Sequence, residues 1–71
     1  MALIEQIEEF QTTMNKVMEL VEETKDLAAQ IENFSIGEAR EKMKVILDLC
    51  ADGIKNLQDA TSQAEDIQKI L

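Results

Sequence analysis

The chain contains no proline, histidine, tryptophan or tyrosine, and only one cysteine, two glycines and two phenylalanines among its 71 residues. Each shortage excludes something. Without proline nothing forces a helix to end, and with glycine so scarce few backbone positions are free to adopt unusual turns. Without histidine there is no imidazole to activate a nucleophile and no glutamate–histidine ligand set for a di-iron bundle. Cys50 has no companion, so neither an intramolecular disulfide nor a cysteine zinc cluster can form. Two phenylalanines are too few to build a platform on which bases stack. No glycine-rich phosphate loop occurs. No segment approaches the ~18 apolar residues of a membrane span, and no basic stretch followed by an apolar run opens the sequence. The expectation is therefore a cytoplasmic protein without a membrane anchor. Leaderless export by a specialised system would leave the same pattern.

Alanine, leucine, methionine, glutamate, glutamine and lysine fill most positions, and nearly all of them favour a helix. The expected fold is all-α, one unit over 1–71, of a size at which a lone hydrophobic core is marginal. Fifteen acidic residues against seven basic ones give a net charge of −8. Such a charge repels nucleic acid and anionic membranes and favours solubility. It is uneven: eight acids and two lysines precede Ser35 (net −6), and seven acids and five bases follow (net −2).

The stretch Asn33-Phe34-Ser35-Ile36-Gly37-Glu38 is the place where two helical patterns can be folded against each other. Ser35 and Glu38 match a capping box: the serine oxygen accepts from the Glu38 N–H, and the carboxylate reaches back to the Ser35 N–H. Phe34 takes the position before the cap, where it can close over Ala39, and Asn33 suits the left-handed conformation that often ends a helix. This predicts a first helix over about 3–32, a turn at 33–35 and a second helix over about 36–70. A turn this short implies antiparallel neighbours.

On the first helix apolar residues recur at Leu3, Ile7, Phe10, Met14, Val17, Val21, Thr24, Ala28 and Ile31, alternating steps of four and three. That is the heptad pattern of a left-handed coiled coil. Thr24 is its polar member, and its hydroxyl can bond back to the Leu20 carbonyl. The second helix repeats the pattern at Ile36, Ala39, Met43, Ile46, Cys50, Gly53, Leu57, Ala60, Ala64, Ile67 and Leu71. With Ile7 and Ile36 at heptad position a, nearly all the carboxylates fall at b, c or f and face water. Folding at the turn pairs residues whose numbers add to about 70 or 71. Large side chains then usually meet small ones, as a filled core requires. The expected hairpin core comprises Ile7, Phe10, Met14, Val17, Val21, Met43, Ile46, Cys50, Gly53, Leu57 and Ile67, with Glu32 beside Arg40 as a rim ion pair.

Further apolar residues flank this seam. Met18, Leu47 and Ile54 stand on one side at position e, Leu20, Leu27 and Leu49 on the other at position g, and Val45 extends the surface. Two helices cannot cover such a belt, and contiguous exposed apolar surface of this size marks an interface. Met18, Leu20, Leu27, Val45, Leu47, Leu49 and Ile54 are the expected interface residues. A second hairpin would cover them as a four-helix bundle, the dimer being favoured, or another helical protein would do so in a heterocomplex.

Carboxylates such as Glu22, Glu23, Asp48 and Asp52 could bind magnesium only by converging, and the heptad turns them outward. Arg40, Lys42 and Lys44 are interrupted by Glu41 and form no basic patch. No catalytic, metal, cofactor or small-molecule site is expected, and no nucleic-acid or membrane partner. The sequence points to an acidic helical hairpin, not an enzyme, that acts by protein–protein interaction as an adaptor or structural subunit. The alternative is a chaperone or inhibitory partner that caps a segment of another protein. In shape it is similar to small helical-hairpin proteins in general, among them plasmid copy-number regulators and small components of bacterial secretion systems. None of their diagnostic residues is matched, and no family is assigned.

Overall fold

The structure, a computed structural model, describes residues 2–71; Met1, the first position of the unit expected over 1–71, lies outside the described residues. Two α-helices, α1 (Leu3–Gln30) and α2 (Ile36–Ile70), are joined by a 3-10 turn at Ile31–Asn33. They pack along their length as a hairpin, a rod of 52 × 14 × 14 Å. The long dimension is that of α2 alone, since 35 residues at 1.5 Å each span about 52 Å.

The turn forms largely for the reasons its residues suggest. The Glu38 N–H donates to Ser35 Oγ at 3.3 Å, which fixes the start of α2 at Ile36. The reciprocal half of the capping box differs: the Glu38 carboxylate accepts from the Ser35 hydroxyl at 3.2 Å, so both bonds run through that one side chain. Asn33 is not left-handed, because no non-glycine residue among those described has positive φ. Instead α1 tightens into the 3-10 turn, and the Phe34 N–H closes it by donating to the Ile31 carbonyl at 3.1 Å. A 3-10 turn satisfies the last carbonyls of a helix without a left-handed residue. The helix expected to reach residue 32 therefore loses its α form two residues earlier. The expected Glu32–Arg40 pair is absent. The single ion pair among the described residues, Lys44 to Glu41 at 3.5 Å, lies within α2 and is well exposed. Long side chains gain too little in water to hold such a rim contact.

The register agrees with residue numbers adding to about 70. Val17 and Leu20 share a groove with Cys50 and Gly53, and Gln6 shares a recess with Gln63 at the free end. What differs is the rotation of each helix. Position d lies inside on both: Val17, Ile46 and Ala60 are buried, while Leu3, Phe10, Thr24, Ala39, Gly53 and Ile67 are half-buried. Its companion is position g rather than a. Leu20 is buried, and Thr13, Leu27, Lys42, Leu49, Asn56 and Gln63 are half-buried. Position a has moved outward, leaving Val21, Met43, Cys50 and Leu57 exposed. At 100° per residue, replacing an a/d seam by a d/g seam turns each helix by roughly one-sixth of a turn. Side-chain size explains the choice. In the middle of the rod position g offers three leucines, Leu20, Leu27 and Leu49, with Lys42, whereas position a offers the smaller Val21, Ala28 and Cys50 with Met43, and the leucines carry the seam. Toward the free end g becomes Gln6, Thr13, Asn56 and Gln63, and there Ile7 and Met14 at position a stay half-buried. Thr24 lies in the seam with its hydroxyl donating to the Leu20 carbonyl at 2.8 Å.

Candidate interaction surface

Rotation toward g makes the two faces of the hairpin unlike. In an antiparallel pair that shares a d/g seam, the a and e columns of both helices emerge on one side and the c columns on the other. The c side carries Glu9, Lys16 and Glu23 from α1 with Glu38, Asp52, Asp59 and Asp66 from α2. It is an acidic face, interrupted by the exposed Val45.

The a/e side is apolar. A groove of about 470 Å³ opens along the middle third of the rod, floored by Val17, Leu20 and Leu49. Val21 and Ala28 form one wall, and Cys50, Ile54 and Leu57 the other. Lys25 is the one charged side chain that lines it. Val21 is 45% exposed and Leu57 46%, and beyond them stand Ile54 at 58% and Leu47 at 64%. Met18 and Met43 continue the stripe on either helix. Gly53 contributes to the hollow by omission. It is half-buried, yet a methyl group built on it would meet no atom within 4 Å. No close helix approach within the hairpin requires this glycine.

The residues expected at an interface are thus divided by the fold. Met18, Leu47 and Ile54 stand open on the groove side. Leu20 is buried between the helices, and Leu27 and Leu49 are half-buried there, because position g is inside. Val45 is exposed on the opposite, acidic face. Of the expected hairpin core, Val17 and Ile46 are buried, and Ile7, Phe10, Met14, Gly53 and Ile67 are half-buried. Val21, Met43, Cys50 and Leu57 belong instead to the exposed stripe. The signal that separates them is the a-versus-g contrast in side-chain size within the central heptads.

At the free end, Gln6, Glu9, Gln63 and Asp66 line a polar recess of about 230 Å³. The side-chain oxygens of Gln6 and Gln63 are buried there without a hydrogen-bond partner. These polar side chains add little apolar burial to the seam at this end. The outward carboxylates remain apart: among the described residues no three acidic or cysteine side chains come together as a metal could require. Among those residues no helix is long and apolar enough to cross a membrane. The chain matches no known family model, no characterised protein and no solved structure.

Proposed function

We propose that this hairpin is a protein–protein interaction module, an adaptor or structural subunit of the cytoplasm that acts by binding rather than by catalysis. Its working surface is the a/e face, and its favoured occupant is a second copy that completes a four-helix bundle. The observation that carries this reading is the exposed surface. A folded monomer of 8.0 kDa is expected to expose about 4,500 Å², whereas the hairpin exposes 5390 Å². An elongated two-helix rod exceeds the compact value by its shape, and what distinguishes this surface is its composition on one side. Its most apolar part is concentrated on one face and forms a groove. Apolar side chains such as Leu47, Ile54 and Leu57 are costly to leave in water, at about 25 cal/mol per Å² of apolar surface.

Position-specific substitution tests the reading. Ile54→Asp puts a charge on the groove side, and Val45→Asp puts the same charge on the acidic side, both at exposed helical positions. Sedimentation equilibrium should show self-association weakened at least tenfold by Ile54→Asp and much less by Val45→Asp. Equal effects of the two substitutions, or none, would refute the assignment of the face.

A further inference from the structure

We infer that the second copy lies with its turn at the opposite end of the rod, so that α1 stacks on α1 of the partner and α2 on α2. The inference rests on the self-association proposed above. It follows from how charge is distributed along the hairpin. When two a/e faces meet about a two-fold axis, that axis lies in the plane between them. It runs either along the rod, with both turns at one end, or across the rod, with the turns at opposite ends. The first arrangement stacks α1 on α2 of the partner, and the second stacks like on like.

The turn end is neutral. Over residues 24–46, Lys25, Arg40, Lys42 and Lys44 offset Asp26, Glu32, Glu38 and Glu41. The free end is strongly acidic. Residues 2–12 carry Glu5, Glu8 and Glu9 with no base, and residues 58–71 carry Asp59, Glu65 and Asp66 against Lys69, a side-chain balance of −5. Turns at one end would set two −5 ends side by side. Opposite turns set each acidic end beside a neutral one holding four cations, and like-charge juxtaposition is avoided.

The apolar stripe permits the same arrangement. On α2 it runs Met43, Leu47, Cys50, Ile54, Leu57, and on α1 the same columns run Met14, Met18, Val21, Lys25, Ala28. Both series step by four, three, four and three, and their centres, Cys50 and Val21, line the groove at one level of the rod. An axis crossing there lays Leu47 against Ile54 of the partner and Met43 against Leu57 of the partner. Lys25 then falls beside Met18 of the partner, and the two Lys25 ammonium groups are about 12 Å apart along the rod.

Spin-label distances decide the orientation. Gly37 is exposed near the turn, and a side chain built there meets nothing within 4 Å, so Gly37→Cys in a Cys50→Ala background, which keeps the stripe apolar, is a mild labelling site. Thirteen residues separate it from the proposed axis, which puts the two labels about 40 Å apart. Turns at the same end would bring them within about 25 Å. Sedimentation of the same labelled sample is read alongside. A mass near twice 8.0 kDa with the long distance supports the inference. The dimeric mass with the short distance overturns the orientation and leaves self-association standing, and a monomeric mass overturns both.

Discussion

Leu20 and Val21 are sequence neighbours with opposite fates, the first 5% exposed between the helices and the second open on the groove. The energetic consequence differs accordingly. Leu20→Ala leaves a cavity in a seam that has four buried residues, Val17, Leu20, Ile46 and Ala60, and should cost about 2–4 kcal/mol in urea unfolding. Gly53 behaves in the opposite sense. Because a methyl group there meets nothing, Gly53→Ala should retain the hairpin and stabilise it by about 0.5–1 kcal/mol, the helix preference of alanine over glycine. Circular dichroism through a urea titration reads both. Destabilisation by Gly53→Ala would mean that another backbone approaches the groove at that position.

At the scale of the elements, the two helices, their antiparallel arrangement and the cap could all be read from residue types alone. A chain of strong helix formers broken once by Ser35 and Glu38 has few other ways to fold, and the Glu38 N–H bonds to Ser35 Oγ as the capping pattern requires. Ser35→Ala should therefore cost about 1 kcal/mol and fray the first turn of α2, measured as faster amide hydrogen exchange at Gly37 and Glu38. Two features were not legible. The 3-10 closure of α1 depends on how Ile31 and Phe34 settle at the turn, and both are half-buried there. The rotation of the seam depends on a contest between neighbouring columns that both read as apolar. Heptad spacing identifies the stripe on each helix, but a stripe three columns wide allows the partner to sit over a/d or over d/g. Leu20, Leu27 and Leu49 favour the g column by their bulk against Val21, Ala28 and Cys50, while Lys42 at g and Met43 at a pull the other way. That comparison also decides which of the expected interface residues remain accessible: Met18, Leu47 and Ile54 do, and Leu20 does not.

The whole molecule is a thin rod with an acidic face, an apolar face and a narrow seam between them. Its seam is polar at the free end, where the Gln6 and Gln63 side-chain oxygens lack partners, and best filled in the middle. A net charge of −8 opposes self-association at long range, while the apolar face favours it at contact. Salt screens the first effect and leaves the second, so raising ionic strength from about 0.05 to 0.5 M should tighten the complex, the reverse of what an ion-paired interface would do. The central claim is that the open apolar face is covered by a second copy. Sedimentation equilibrium of the unmodified chain from about 1 to 100 µM, with helicity recorded on the same samples, tests it most directly. The account predicts a mass near twice 8.0 kDa with full helicity across the range. A mass near 8.0 kDa, fully or partly helical, would contradict it and assign the groove to a different protein.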